Sequence, residues 1–464
     1  MTSFQIDSVT VRGLQTFASD LIPLRWVALP FLIAASYPIY ALYLHPLRTY
    51  PGPKLAAITR IPYWIACLNG YQVRWMAKLH SQYGPVVRFG PDDLSYTDGQ
   101  AWKDICLVPK DKKENGKEVG FHAPSANGVP NIVCQNDIAQ HARLRRALSP
   151  AFSEKALKAQ EPLLQQYADL LITRCRQAAQ LDMAQLLNFA TFDIMADFSF
   201  GESLHLLERG QYSEWVAKVF DVILPLVQII EFYPLLKKVF ALIEPEAISR
   251  MRHDHFDHTD LWDLIVESEA LTLEEMHVNA ELFMAAGTET TGIEPEPPLG
   301  NIDYGVDSSL ASLLTGVIHY LISNPDKMKI LTDEIRPRFE SSRDITLEQL
   351  APLPYLNACL REGMRVYPPV PSALPRIVAD GGNSILGRWV PGGTRVSVHQ
   401  NPDAFVPERW LGDPAYKDDS RSAHQPFSVG TRNCLGMNLA WHEMRLMLAK
   451  LVYEFDIGSD AGPD

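Results

Sequence analysis

The most constraining feature of this sequence is a lone cysteine in the loop PFSVGTRNCLGMNLA, residues 426–440. Cys434 lies in the spacing F-x-x-G-x-R-x-C-x-G, directly before a long run, 437–454, with apolar residues at helical spacing. Gly430 and Gly436 let the backbone turn tightly and leave room beside it. The pattern favours a cysteine that presents its sulfur to a bound group over the alternative, a buried structural cysteine at a helix start.

The chemistry that fits this loop is ligation of haem iron by a cysteine thiolate, which pushes electron density onto the iron and favours cleavage of the O–O bond. Backbone N–H groups near a helix N-terminus can bond the sulfur and tune its charge. Arg432 is placed to meet a haem propionate, and Phe427 to pack beside the thiolate. The sequence therefore predicts Cys434 as the axial ligand of haem iron.

This loop resembles the signature of the cytochrome P450 superfamily, and the wider sequence is similar to the fungal microsomal branch that oxidises terpenoids, polyketides and alkaloids. The resemblance extends from the proline-rich segment after residue 45 to the end of the helix that follows the loop. It implies a mainly α fold with small β-sheets (α+β) behind a single N-terminal transmembrane helix. It also implies haem b (iron protoporphyrin IX) as cofactor, and electrons from NADPH supplied through NADPH-cytochrome P450 reductase.

Two motifs imply a structural network of charges. Glu362 and Arg365 lie three residues apart on one helical face, in LNACLREGMRVYPPVP. Taken alone, this could be an ordinary solvated pair that contributes little to stability. By the resemblance the pair is buried, and Arg409 of the segment PERW completes a network that holds the chain beneath the haem. Breaking such a buried network is expensive.

The segment MAAGTETTG carries the candidate catalytic residues. Residues 286–290, AGTET, resemble the family's A-G-x-[DE]-T motif on a long helix that passes over the haem. The resemblance implies that Thr290 binds oxygen or a water beside the iron and that Glu289 helps to bring protons in, because an acid and an alcohol together can deliver protons. The alternative is a threonine-rich helix end without a catalytic role.

Further basic residues are implied to bind the haem propionates. His141 and Arg145 are four apart on one helical face and align with the family's propionate-binding pair, where tryptophan is common at the first position. Arg376 ends the segment PVPSALPR, which resembles the turn that skirts the haem and touches substrate. Four outward basic residues are candidates for contact with an acidic reductase, or else form a solvated face: Arg143, Arg146, Lys155 and Lys158.

Composition and periodicity indicate one large catalytic unit. The 464 residues are 47% hydrophobic, which is enough for a large core, and no internal repeat divides them. A net charge of −13 argues against a nucleic-acid partner, because phosphate binding needs a basic surface. Six cysteines without close pairs indicate reduced thiols in a cytosolic compartment. The histidines of RHDHFDHTD lie among charged neighbours, and we interpret them as an exposed linker and not as a zinc site.

Helical spacing of apolar residues predicts a mainly helical body, and short runs between glycine and proline predict a few strands. The predicted helices are 138–148, 154–179, 184–198, 211–242, 272–287, 311–323, 325–339, 346–366 and 437–454, and the predicted strands are 85–89, 384–390 and 394–398.

Residues 26–44 form an uncharged run, WVALPFLIAASYPIYALYL, of about the length that crosses a bilayer as a helix. We expect a short tail at 1–25, a transmembrane anchor at 26–45 and a haem-thiolate catalytic domain at 46–464. A signal peptide fits poorly because the run starts late and follows acidic residues. A buried core helix is the other alternative.

The positive charges that follow the run belong to Arg48, Lys54 and Arg60. Before the run, the charges of Arg12 and Arg25 are offset by two aspartates. By the positive-inside rule we expect a single-pass protein of the endoplasmic reticulum membrane with its catalytic domain in the cytosol.

Three stretches depart from the family pattern. Residues 292–310 interrupt the long helix with three prolines, which cannot lie in a helix interior. We expect this insertion to be unspliced intron sequence, because joining Thr291 to Ala311 restores helical spacing; the alternative is a genuine surface loop. The run VSVHQNPDAFVPERW is shorter than in similar sequences, which carry more residues between Gln400 and Asn401. We also expect the C-terminus to be truncated, ahead of the hairpin that closes the substrate pocket in similar sequences.

The sequence therefore predicts a haem-thiolate monooxygenase that inserts one oxygen atom from O2 into a lipophilic small molecule, in secondary metabolite biosynthesis. A haem-thiolate isomerase or peroxygenase is one alternative, and the acid–alcohol pair Glu289–Thr290 argues against it. An inactive or defective haem-binding relative is the other, and the three departures favour it.

Overall fold

The computed structural model describes residues 36–69, 71–107, 113–118, 128–177, 180–212, 271–288, 309–370, 375–399 and 405–458. Helices predominate in these residues. The α-helices are α1 (Lys54–Ile58), α2 (Ile61–Leu68), α3 (Gln72–Tyr83), α4 (Gly99–Cys106), α5 (Ile138–Leu148), α6 (Glu154–Ala159), α7 (Glu161–Gln177), α8 (Met183–Phe200), α9 (Leu206–Arg209), α10 (Leu273–Thr288), α11 (Ser309–Ile322), α12 (Pro325–Ile335), α13 (Leu347–Leu350), α14 (Pro354–Val366) and α15 (Met437–Glu454).

Short turns of other helix types join these elements. A π-helical turn at Tyr40–Leu44 precedes α1. The 3-10 turns are Ser149–Phe152, Arg336–Arg338, Ser342–Asp344, Pro407–Trp410, Pro414–Tyr416 and Arg421–Ala423.

Seven strands form two sheets: β1 (Val86–Gly90), β2 (Asp93–Tyr96), β3 (Gly116–Lys117), β4 (Arg376–Ile377), β5 (Asn383–Ile385), β6 (Arg388–Val390) and β7 (Arg395–Val398). The larger sheet has the order β1-β2-β7-β4-β3, and β5 pairs with β6 in a separate hairpin. In the larger sheet as described, β2 and β7 pair in parallel, and the pairs β1–β2, β4–β7 and β3–β4 are antiparallel. The mainly helical class with small sheets that the sequence predicted is confirmed.

Local sequence explains where several helices begin. The side chain of Asp137 accepts a hydrogen bond from the Gln140 N–H at the start of α5, and Asp182 does the same for α8. Ser153 caps α6 in the same way. Each side chain satisfies a backbone N–H that has no partner inside the helix.

The largest core cluster packs the helical faces of α5, α7, α8, α10, α11, α12, α14 and α15 together. Apolar residues of α11 at helical spacing, Leu313, Leu314, Val317, Ile318 and Leu321, are all buried in it. A smaller cluster joins the larger sheet to α4. Because α5, α10, α14 and α15 share the main core, the residues expected around the cysteine loop are held by one packed body.

Proline divides two of the helices that we predicted as continuous. The predicted helix 154–179 is two helices, since α6 ends at Ala159 and α7 begins at Glu161 with Pro162 in its first turn. The predicted helix 346–366 is also two, because α13 ends at Leu350 and Pro354 begins α14 four residues later. Proline is accepted in a first turn but cannot continue the preceding helix.

The predicted strand 384–390 is the hairpin of β5 and β6. Leu386 and Gly387 turn the chain with φ of 50° and 71°. The predicted helix 211–242 lies almost wholly outside the described residues.

Most of the predicted anchor also lies outside the described residues, which begin at Ser36. Residues 36–39 are helical and lead into the π-helical turn. Among the helices of the described ranges, none combines the length and the apolar character needed to span a bilayer. The anchor stays a prediction.

Glu443 of α15 is a buried carboxyl in the helical core, and its Oε1 has no hydrogen-bond partner among the described residues. Burial raises the pKa of Glu443 from 4.5 to about 8. The folded protein therefore holds a proton that the unfolded chain releases, and the free energy of unfolding falls as the pH rises between these values.

We expect Glu443→Gln to remove this pH dependence. The free energy of unfolding of the variant minus that of the wild type should then increase by about 1.4 kcal/mol per pH unit from about pH 5 to about pH 8. Urea unfolding at several pH values measures it, with Glu340→Gln, at an exposed position, as the matched control. A gain that does not change with pH contradicts the prediction.

Candidate functional site

The cysteine loop is folded back on itself before α15. The Cys434 N–H donates to the Phe427 carbonyl across 2.9 Å, which closes the loop. Gly430 turns the chain with a φ of 85°, and a Cβ at this position would lie 2.7 Å from the Cys106 carbonyl oxygen. Both the left-handed backbone and the close approach of α4 require glycine here.

We therefore expect Gly430→Ala to destabilise the fold by about 1–3 kcal/mol and to reduce haem incorporation, because the loop must open to relieve the contact. Urea unfolding and the ratio of haem to protein absorbance measure the two effects. Gly458→Ala is the matched control, since a Cβ there meets nothing within 4 Å. Equal behaviour of the two variants contradicts the role assigned to Gly430.

Cys434 combines an exposed side chain with close protein surroundings. Solvent reaches the side chain, yet protein surrounds it closely enough that burial raises the pKa of its thiol, while a hydrogen bond from the Gly436 backbone and the charge of Arg145 lower it. Gly436 precedes α15, and a Cβ at this position would have its nearest neighbour in the Phe152 ring, 4.0 Å away. The loop thus holds an accessible sulfur with a hydrogen-bond donor and a cation beside it.

Arg145 of α5 ties that helix to the cysteine loop. Its guanidinium donates to the Asn433 carbonyl across 2.7 Å and to the Asn433 side chain. The charge of Arg145 therefore lies next to the residue before Cys434, where it favours a thiolate.

Three cations and His141 form a buried group near the loop, which we call the basic cluster: Lys117, His141, Arg376 and Arg432. Burial, the largest cause, and the charges of Arg432, Lys117, Arg145 and Arg376 together lower the pKa of His141 to about 3. Burial and the neighbouring arginines also lower the pKa of Lys117 to about 7. Buried cations need anions beside them. In the part of the chain that the structure describes, Glu114 is the acid that pairs with this cluster, so its acids are fewer than its basic side chains.

The residues present fit a haem with two carboxylates. The Arg376 Nη1 is buried without a hydrogen-bond partner among the described residues, and it belongs to the basic cluster. The only acid that contacts Arg432 in the described structure is Glu114, so the cluster keeps an excess of positive charge for two propionates. The cysteine loop supplies a sulfur ligand at the same site.

Glu362 is the centre of a second charge network. It is fully buried and accepts two hydrogen bonds from Arg365, at 2.9 and 2.7 Å. It also accepts from the Val406 N–H at 2.7 Å and from Trp410 at 2.9 Å. Arg409 completes an ion pair at 3.6 Å and contacts Asp419. The three charges that the sequence singled out therefore meet in one place.

The structure brings together most of the remaining predicted site residues. His141, Arg376 and Arg432 share the basic cluster, while Arg145 and Phe427 hold the cysteine loop. Glu289 and Thr290 lie outside the described residues, directly after the end of α10.

Two of the basic residues proposed for a reductase have acidic partners within the chain. Arg143 forms two hydrogen bonds with Glu275 of α10. Lys158 lies 2.6 Å from Glu348 of α13, and both of their side chains are exposed. Arg146 and Lys155 have no such ion pair within the described chain, so they remain the candidates for contact with a reductase.

Sequence reasoning missed Lys117, a member of the basic cluster, and Glu114, which pairs with Arg432 of that cluster. Both lie in the segment 113–118. The two-residue strand β3 shows no alternation that could have pointed to them.

A family model described as Cytochrome P450 matches residues 63–293 and 305–462, so the match is interrupted within the predicted insertion 292–310. The chain is 39% identical over 464 residues to cytochrome P450 monooxygenase efuB of Hormonema carpetanum, which covers 91% of this chain and 88% of the relative. It is 39% identical over 461 residues to cytochrome P450 monooxygenase FUM2 of Gibberella moniliformis, covering 90% and 93%. Averantin hydroxylase of Dothistroma septosporum is 37% identical over 457 residues, covering 91% and 82%.

Proposed function

Because this chain belongs to the cytochrome P450 family and is an oxidoreductase of its monooxygenase class, we propose that it inserts one oxygen atom of O2 into a lipophilic small molecule. The proposed setting is secondary metabolite biosynthesis. One relative is named for the hydroxylation of averantin, and this supports a small-molecule substrate for the present chain. The family implies haem as the cofactor.

The observation that carries the proposal is the surroundings of Cys434: an accessible sulfur inside the fold, with a backbone donor and a cation beside it. When haem is bound, it supplies the centre at which O2 is activated, and a thiolate ligand favours O–O cleavage. The chain's own contribution is to keep negative charge on the sulfur, through the Gly436 N–H and the Arg145 guanidinium.

The basic cluster has a separate task in this proposal. Arg432 and Arg376 would orient the haem by its propionates, because guanidinium groups bind carboxylates through paired hydrogen bonds. The neutral imidazole of His141 would donate one further hydrogen bond. Thr290 and Glu289 follow α10 directly in the sequence, and we propose that they would hold and move protons beside a bound haem.

We further propose NADPH-cytochrome P450 reductase as the electron donor and the endoplasmic reticulum membrane as the location, with the catalytic domain in the cytosol. The uncharged run 26–44 supports the membrane. Exposed basic side chains such as Arg146 and Lys155 suit an acidic partner.

A defective relative is the second candidate. The observation that favours it is the interruption of the family match at 294–304, inside the insertion 292–310. We propose that this insertion is retained intron sequence, and that the working helix joins Thr291 to Ala311. Messenger RNA that always contains the segment, from cells with active enzyme, contradicts this origin.

The test of the proposed function is isotope incorporation. Full-length protein and reductase receive NADPH, 18O2 and either averantin or a solvent extract of the producing cells. We expect a product that carries one 18O atom and forms only with NADPH. A product without 18O indicates an isomerase, formation without NADPH but with peroxide indicates a peroxygenase, and haem-loaded protein that consumes no NADPH indicates the defective relative.

A further inference from the structure

Helix α10 is tied to the chain before α5 by a buried side chain. Asn279 of α10 is fully buried, and its amide oxygen accepts a hydrogen bond from the Ile132 N–H across 2.9 Å. Its amide nitrogen donates to the Glu275 carbonyl, one turn earlier in the helix, across 2.6 Å. Rotating the amide would place its nitrogen against an N–H and its oxygen against a carbonyl, so the two bonds fix its orientation. Asn279 therefore joins α10 to a segment 147 residues away in the sequence.

The chain from residue 131 to residue 145, which we call the connecting segment, runs from this hydrogen bond to the cysteine loop. Near its start, the carbonyls of Gln135 and Asn136 accept hydrogen bonds from Arg432 of the loop, at 2.6 and 3.2 Å. At its end, Arg145 donates across 2.7 Å to the carbonyl of the residue before the cysteine. One continuous segment thus contacts α10 and also holds the cysteine loop at two points.

A second contact between α10 and the connecting segment lies one turn from the first. Glu275 forms two hydrogen bonds and an ion pair with Arg143, which belongs to α5. Glu275 and Asn279 are four residues apart, so they lie on the same face of α10. This face is therefore held against the connecting segment at two neighbouring positions.

The same face of α10 approaches the cysteine loop through an aromatic contact. Phe283 follows Asn279 by four residues, and its ring centre lies 5.2 Å from that of Phe152. The Phe152 ring is also the nearest neighbour of a Cβ built at Gly436, 4.0 Å away. Phe152 thus packs between α10 and the loop, while the connecting segment links the two by hydrogen bonds. Together they set the distance between the cysteine loop and the helix that leads, in the sequence, to Thr290.

We propose that Asn279 is a positioning residue: through the connecting segment it holds α10 at a fixed distance from the cysteine loop, and it thereby limits the size of ligand that the haem site accepts. This inference rests on the proposed haem-dependent function. The alternative is that Asn279 only satisfies buried backbone groups, and it predicts a loss of stability with no change in ligand selection.

Two iron ligands of different size separate these possibilities. Imidazole and N-phenylimidazole bind ferric haem through the same type of nitrogen and differ by one ring, and each dissociation constant follows from a spectral titration of the full-length holoprotein. We expect Asn279→Leu to lower the ratio of the N-phenylimidazole constant to the imidazole constant by about 3- to 10-fold, the effect of one hydrogen bond. The larger ligand needs α10 displaced, and its apparent affinity rises with the population of that state.

Asn279→Asp keeps an oxygen that can accept from the Ile132 N–H, so its ratio should lie closer to the wild-type value than that of Asn279→Leu. Glu275→Gln weakens the second contact without changing the core, and it should lower the ratio in the same direction. This second variant tests the proposal even if Asn279→Leu does not take up haem.

Asn357→Leu is the matched control. Asn357 of α14 is also buried, donates to the Leu353 carbonyl of its own chain segment and accepts from Arg445 of α15. Urea unfolding should show a loss of stability in both leucine variants, whereas the ratio of dissociation constants should change only in Asn279→Leu.

A wild-type ratio in both Asn279→Leu and Glu275→Gln overturns the inference, and so does an equal change of the ratio in Asn357→Leu. Wild-type protein that gives no spectral change with imidazole instead overturns the proposed function itself.

Discussion

Replacing Cys434 by alanine is expected to abolish the thiolate spectrum of the reduced carbon monoxide complex and all NADPH-dependent turnover. Cys434 is the cysteine of the loop before α15, and its side chain is exposed at the site that we assign to the haem. In the described chain the other cysteines lie on different elements, so none can replace it without refolding the loop. The loss of activity should be complete and not partial, because the thiolate is required for O–O cleavage.

Cys175→Ala is the matched control for this variant. Cys175 lies on α7, partly buried at the edge of the helical core, and its replacement should leave the spectrum and turnover unchanged. Far-ultraviolet circular dichroism of both variants shows whether the fold is intact. A thiolate-type spectrum that survives in Cys434→Ala means that the ligand has been assigned to the wrong residue.

Glu362→Ala should be the most destabilising single change outside the cysteine loop. The fully buried carboxylate accepts four hydrogen bonds within 2.9 Å, two of them from Arg365. Its removal leaves the charges of Arg365 and Arg409 without their central partner. We expect a loss of about 3–5 kcal/mol in the free energy of unfolding, which is typical of a buried ion pair that loses one partner. Urea unfolding of haem-loaded protein measures it.

Glu348→Ala is the control for Glu362→Ala. Glu348 also pairs with a basic residue, Lys158, but their side chains are 77% and 68% exposed. Water screens an exposed pair, so this variant should remain close to the wild type. Similar losses in the two variants would show that Glu362 does not hold a network that matters for the fold.

Site residues that lie within one continuous segment could be predicted from the sequence. The cysteine loop and its helix are one such segment, and α15 has the bounds that helical spacing predicted. His141 and Arg145 lie on α5, whose bounds were also predicted, and Glu362 and Arg365 lie on one face of α14. Spacing alone determines that such residues share a helical face.

Contacts between distant segments could not be predicted in this way. Lys117 and Glu114 meet the basic cluster because β3 pairs with β4 and because Arg432 reaches across from the cysteine loop. Arg376 likewise owes its place to the pairing of β4 with β7. The register of short strands depends on the whole fold, so no local pattern reveals it.

The fold shows the same difference. Long apolar helices such as α8 and α11 were predicted because their packing faces repeat with helical period. The breaks at Pro162 and Pro354 were missed because apolar periodicity continued across them, although a proline in a first turn begins a new helix. The five-residue helix α1 and the strands β2, β3 and β4 offered too few residues to show any period. The helices α2, α3 and α4, of 8, 12 and 8 residues, were not predicted either, although they are long enough to show one.

The central claim is that this chain binds haem through the thiolate of Cys434. The most direct measurement is the difference spectrum of the full-length wild-type protein, reduced with dithionite, with and without carbon monoxide. We predict a Soret band at the position typical of thiolate-ligated haem. A band at the position of imidazole-ligated haem, or no haem band from protein supplied with haem during expression, would contradict it.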